Sequence, residues 1–164
     1  MLFETKKSGD KLLNSFQTEI AQFKDSAPKH APSVAILIGR DGARSMTAVG
    51  RGSFLNELLE IAGGRNVFDS NESAYFDLAE ESLLKAAPEF LFDISAMMKT
   101  IPRQNNGAAT ADNIDSFSSL RDAYPQLPAV QNNHLYALQQ DYIFLPGPRM
   151  LLTLKAFRER LAPY

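Results

Sequence analysis

Side chains able to do chemistry are few in this 164-residue chain, and they are scattered. The two histidines, His30 and His134, lie far apart, and neither belongs to a metal motif such as HExxH. His30 reads as a linker residue and His134 as a residue of a strand turn. There is no cysteine, which excludes a disulfide, a thiolate metal site and a cysteine nucleophile. The glycines around Ser53 stand at the wrong offsets for G-x-S-x-G, and GRDGARS and GRGS lack the Lys-Ser/Thr that ends a phosphate-binding P-loop. An enzyme is therefore the poorer reading. What remains is suited to binding. Arg51 sits in a Gly50-Arg51-Gly52 turn, Arg103 on a long loop, and Arg149 beside Pro148 at the start of a helix. A cation at a helix N-terminus opposes the dipole, so Arg149 calls for another partner, a ligand carboxylate or an internal acid. The acidic pair Glu80-Glu81 suits a helix N-terminus and reads first as a solvated cap.

Those residues are positioned by one stretch above all, Ser45–Phe68. A strand-like run ends at Val49, the glycine turn follows, and Ser53 stands where a helix N-cap belongs. Phe54, Leu55, Leu58, Leu59 and Ile61 then recur at helical spacing, and Gly63-Gly64 supplies a left-handed stop. A strand that delivers the chain to a helix N-terminus is one way to build a ligand-facing loop, and it is also an ordinary strand–helix turn.

The rest of the chain alternates in kind. Glu4–Asp25 is an amphipathic helix with an apolar stripe of Leu12, Leu13, Phe16, Ile20 and Phe23, and Ser26–Pro32 is a linker. Val34–Ile38 is a continuous apolar run, the pattern of a strand buried on both faces, and Phe90–Ile94 is the next buried strand. Met46–Val49 returns beside the first of them after the Arg40-Asp41-Gly42 turn. Asn66–Tyr75 is polar and irregular, and Leu78–Ala87 is a short helix stopped by Pro88. Ser95–Ala111 reads as a long loop, and Ile114, Phe117 and Leu120 as a weak helix stripe. Leu127–Val130 leads through Asn132-Asn133 to a strand over Leu135–Leu138, and a last helix carries Met150, Leu151, Leu154, Phe157 and Leu161. Strands alternating with helices predict an α/β fold, a mainly parallel sheet flanked by helices.

GRGSFLNELLEIAGGRNVF resembles the strand–loop–helix that opens the C-terminal lobe of ABC-transporter substrate-binding proteins for siderophores, haem and cobalamin. LAEESLLKAAPEFLF, PAVQNNHLYAL and FLPGPRMLLTLKAF resemble three later passages of that family, in the same order. The resemblance implies one lobe of a bilobal class III periplasmic binding protein, with residues 1–30 as interlobe helix and linker and 31–164 as the C-terminal lobe. It implies a chelate held non-covalently by Arg51, Gly52, Ser53, Tyr75, Met97, Arg103, Tyr142 and Arg149, with no cofactor and no metal ligated by the chain itself. Aromatic side chains such as Tyr75 and Tyr142 suit large, flat chelates. Their plainer role is packing of loops onto the sheet. Glu81 falls where the family carries a surface carboxylate that docks on the membrane permease, although Ala79 replaces a common serine. The alternative class is a small α/β enzyme or nucleotide-binding domain that uses the glycine turn for phosphate.

Composition is consistent with such a domain: 45% hydrophobic, 22% charged and a formal net charge of −2, with no electrostatic footprint for nucleic acid. No apolar run approaches the roughly 20 residues of a membrane helix. No export signal stands before Phe3, so the resemblance implies a mature or partial form of a periplasmic or extracytoplasmic protein, lacking its N-terminal lobe. An absent lobe would leave the stripe Leu12, Phe16, Ile20 and Phe23, and Met97, Met98 and Phe144, open to water. A two-fold homodimer is the expected remedy.

Overall fold

The computed structural model describes residues 17–25, 30–41, 45–94, 117–138, 141–144, 147 and 149–161. The described part of the N-terminal helix, α1, spans 17–25. It is followed by β1 (Ser33–Asp41), β2 (Ser45–Val49), α2 (Phe54–Ile61), β3 (Arg65–Asn66), β4 (Tyr75–Leu78), α3 (Glu80–Ala86) and β5 (Phe90–Asp93). Then come α4 (Ser118–Ala123), α5 (Pro128–Gln131), β6 (Leu135–Ala137), a 3-10 turn over Asp141–Phe144 and α6 (Met150–Leu161).

The expected α/β architecture is present, with a mixed sheet. Strand order is β4-β2-β1-β5-β6, with β3 paired to the start of β1. β1 runs parallel to β3 and β5, and β5 parallel to β6; β2 lies antiparallel to both β1 and β4. The antiparallel half arises because a three-residue connection joins β1 to β2, too short for the crossover that a parallel neighbour needs. The polar segment before Tyr75 hides the small strand β3. Tyr75–Leu78, with Leu78 expected to open a helix, is instead the edge strand β4. Its residues are exposed or half-buried until Leu78, so the pattern is that of an edge rather than a core strand. Pro128–Gln131 is one turn of helix, with the proline in its first turn where a missing N–H costs nothing.

Period-two alternation divides the core. Val34, Ile36, Ile38, Phe90, Phe92 and Ile94 face a layer made by α2 and α6, to which Phe23 of α1 and Tyr142 add. Ala35, Leu37 and Leu91 face the other layer, made by Leu83 of α3, Leu120 and Tyr124 beside α4, and Leu127 and Ala129 at α5. Helices on both faces explain the apolar runs Val34–Ile38 of β1 and Phe90–Phe92 of β5.

Two polar ties hold this frame. Arg158, in the last turn of α6, donates from Nη2 to the carbonyls of Phe23 and, at 3.3 Å, Ile61. Its guanidinium carbon lies 5.9 Å from the Phe23 ring centroid. One cation thus serves carbonyls at the C-terminal ends of α1 and α2, where helix dipoles are negative. The second tie joins the starts of β1 and β5. Glu89 Oε2 accepts from the amide and hydroxyl of Ser33 at 2.7 and 2.8 Å, and the Glu89 amide donates to Ser33 Oγ at 3.1 Å. The Ser33 amide, above all, holds the Glu89 carboxyl below its usual range, against the opposing effect of burial. A depressed carboxylate pKa adds stability above the unfolded value and loses it as pH falls through the folded one. Glu89→Gln should therefore cost on the order of 1 kcal/mol at neutral pH. The difference from the parent should close below about pH 4 in paired urea titrations, and an unchanging gap across pH would refute the assignment.

Candidate functional site

The glycine turn is shaped by its neighbours across β4. Gly50 N–H donates to Ala74 O at 3.0 Å and Arg51 N–H to Asn71 O at 2.8 Å, which binds the turn to the segment leading into Tyr75. A Cβ on Gly50 would lie 2.2 Å from Ser73 O, and one on Gly52 2.6 Å from Glu72 O, so neither position admits a side chain. Ser53 caps α2 as its spacing predicts: Oγ accepts from Leu55 N–H at 3.2 Å. Gly63, at φ 88°, ends the helix in the left-handed conformation, with its N–H bonded to Glu60 O.

Beneath the turn lies a buried amide pair. Asn66 Nδ2 donates to Val49 O at 2.9 Å and to Asn56 Oδ1 at 2.8 Å, while its Oδ1 accepts from Phe68 N–H at 3.0 Å. Asn56 Nδ2 reaches Glu60 Oε1 at 2.9 Å. Both asparagines are 2% exposed. Together they fix the end of β2, the first turn of α2 and the loop after β3 relative to one another. Sequence reading passed over them. An asparagine inside the apolar stripe of a helix, as Asn56 is, was the available signal, since buried amides need partners.

On this platform Tyr75 stands 42% exposed at the start of β4, paired in register with Val49, its hydroxyl 3.4 Å from Ser53 Oγ. Arg51 turns to Asp69: Nε and Nη2 donate to Oδ1 and Oδ2 at 3.1 and 2.8 Å. Those hydrogen bonds are the first cause that holds the Asp69 carboxyl below its usual range. Arg51, Gly52, Ser53 and Tyr75 are thus brought together. The amides of Gly50, Arg51 and Ser53 all donate to protein carbonyls, so the turn does not offer them to a phosphate.

The other expected residues belong to later segments of the chain. Ala48, Leu37, Asp93 and Ala137 form one row across the sheet. β2, β5 and β6 all end within one residue of that row, β2 running towards the start of β1 and the other two towards its end. Tyr142, half-buried against the α2–α6 layer, and exposed Arg149, just before α6, come from the segment after β6. No hydrogen bond among the described residues joins them to Ser53 or Tyr75. Glu81 is exposed in the first turn of α3, on the sheet face opposite α2. His134 is a packing residue, as its turn position suggests: its ring stacks on Phe90 at 4.3 Å, with Nδ1 3.1 Å from Glu89 O. Met97 and Arg103 lie outside the described residues. Among the described residues no group of His, Asp and Glu could hold a metal ion, and no helix is long and apolar enough to cross a membrane.

A family model described as periplasmic binding protein matches residues 1–142. The chain belongs to this family. The high-affinity heme uptake system protein IsdE of Staphylococcus aureus is 28% identical over 128 residues, which cover 78% of this chain and 40% of that protein. The chain thus spans well under half the length of the curated relatives it matches. The solved structure of the periplasmic heme-binding protein HutB of Vibrio cholerae superposes with a TM-score of 0.76 at 18% identity, covering 99% of this chain and 59% of that one. A possible iron-binding periplasmic solute-binding protein from Staphylococcus epidermidis gives 0.74 at 22% identity, with 98% and 57% covered. The periplasmic vitamin B12-binding protein BtuF of Vibrio cholerae gives 0.68 at 19%, with 96% and 53% covered. These likenesses establish the fold of one lobe of a periplasmic binding protein.

In that lobe the buried amide pair carries the turn. Asn66→Ala would strand Val49 O, Asn56 Oδ1 and Phe68 N–H together, and should cost at least about 2 kcal/mol in urea unfolding. A loss under about 0.5 kcal/mol, the scale of an ordinary surface substitution, would show that the pair does not support the platform.

Proposed function

We propose that this chain is the C-terminal lobe, with part of the interlobe helix in residues 1–30, of the substrate-binding component of an ABC importer for a metal chelate. Residues 31–164 form the lobe in this reading. The observation that carries it is the union of family membership with an exposed aromatic, Tyr75, held over a capped helix start by a turn in which glycine is sterically required. An exposed aromatic beside a small set of polar and charged groups suits a large flat or partly apolar ligand, so the chelate is a siderophore, haem or a corrinoid. Relatives named for heme and vitamin B12 support that range. The chain acts by capture rather than by catalysis, outside the cytoplasmic membrane. Arg51, Gly52, Ser53 and Tyr75 form the ligand face, and Met97, Arg103, Tyr142 and Arg149 contribute from the later loops. The phosphate-binding alternative is disfavoured by the turn amides already bonded to carbonyls.

Glu81 is the docking carboxylate for a basic patch on the permease, a role that suits an exposed acid on a layer away from Tyr75. A second lobe completes the cleft. Where it is absent, a homodimer through α1 takes its place, by the face of the helix that Phe23, packed against its own lobe, leaves open.

Two measurements test the proposal. Titration of the chain with haemin, ferrioxamine B and cyanocobalamin, followed by absorbance and tyrosine fluorescence, should give dissociation constants well above a micromolar, because half a cleft makes half the contacts and each tenfold in affinity is about 1.4 kcal/mol. Submicromolar binding would show a site complete without a second lobe. In the two-lobe protein, Glu81→Ala should impair uptake and leave chelate affinity within about twofold. A fall in affinity with uptake otherwise intact would move Glu81 into the ligand site.

A further inference from the structure

The pairing of Arg51 with Asp69 bears on which chelates this face accepts. The two residues are 18 positions apart and meet through one fork of the guanidinium, Nε and Nη2, against both carboxylate oxygens. The pair is open to water, its side chains 56% and 40% exposed. Glu60 and Glu72 add negative charge. Glu60 is bonded to Asn56 on the same helix that follows the turn, and Glu72 lies against Gly52, where its carbonyl bars a side chain. Both are close enough to act on the Arg51 charge. Arg51 is therefore paired with Asp69 and lies in the field of two further carboxylates.

We infer that Asp69 is an internal competitor for Arg51: an acidic ligand group takes the side fork of the guanidinium only by exchanging with the Asp69 carboxylate, and Asp69 thereby sets the balance between anionic and cationic chelates. This rests on the reading that the glycine turn and Tyr75 face the ligand. The exchange is feasible because the pair is solvated and weakly held. It carries a penalty because the displaced Asp69 loses its counter-charge and both hydrogen bonds to the guanidinium. A cationic chelate meets the opposite balance, since the intact cluster attracts it.

The test is a titration of the whole chain, at low ionic strength, with haemin, anionic through its propionates, and ferrioxamine B, a cationic ferric hydroxamate. Asp69→Asn should raise haemin affinity about tenfold and lower ferrioxamine B affinity about threefold, with Asp69→Glu close to the parent. The haemin gain should vanish in an Arg51→Gln background, a dependence that a loss of fold does not produce. The inference is overturned if haemin affinity falls or stays level, if both chelates move in the same direction, or if the gain persists without Arg51. If neither chelate binds the parent or any variant, the chelate-binding reading falls and the inference with it. Binding that is indifferent to Asp69 overturns the inference alone.

Discussion

The candidate site depends on the mutual satisfaction of two buried amides, Asn56 and Asn66. Three chain segments that are not otherwise continuous, the end of β2, the start of α2 and the loop after β3, each leave a polar group inside the protein. Val49 O, Asn56 Oδ1 and Phe68 N–H all find their partner on the single side chain of Asn66. A buried polar group without a partner costs more than the bond returns when made, so the arrangement is close to all-or-none. The turn above it inherits that rigidity. Gly50 and Gly52 approach the Asn71–Ala74 backbone because neither carries a Cβ.

What was legible in the sequence is what local rules decide. Ser53 as the N-cap and Gly63 as the left-handed stop follow from the spacing of one helix, with no need of the remainder of the fold. Val34–Ile38 and Phe90–Ile94 declare themselves as central strands because both faces are covered and, Asp93 apart, every position is apolar. The family passages were legible for a related reason: three of the four join a helix to a strand, where backbone geometry narrows the choice of residue.

What was not legible depends on partners distant in sequence. Nothing near Arg51 announces Asp69, and an arginine in a glycine turn reads as open to ligand until the loop after β3 is folded against it. β4 was missed in part because an edge strand needs no apolar run. Only its pairing with β2 makes Tyr75 a strand residue. The row through Ala48, Leu37, Asp93 and Ala137 likewise sets the ends of β2, β5 and β6 at one level of the sheet, a consequence of register that no periodicity contains.

Arg158 has a bearing on where this lobe physically begins. Its guanidinium stands on the carbonyl and ring of Phe23, so residues 17–25 belong mechanically to the sheet and its helices rather than to a tether before them. A boundary drawn in the Ser26–Pro32 linker follows composition, yet it would cut through a half-buried cation and the carbonyl that helps to neutralise it. The unit that moves, melts or is transplanted as one piece therefore includes the end of α1, and any pivot against a neighbouring body must lie beyond it.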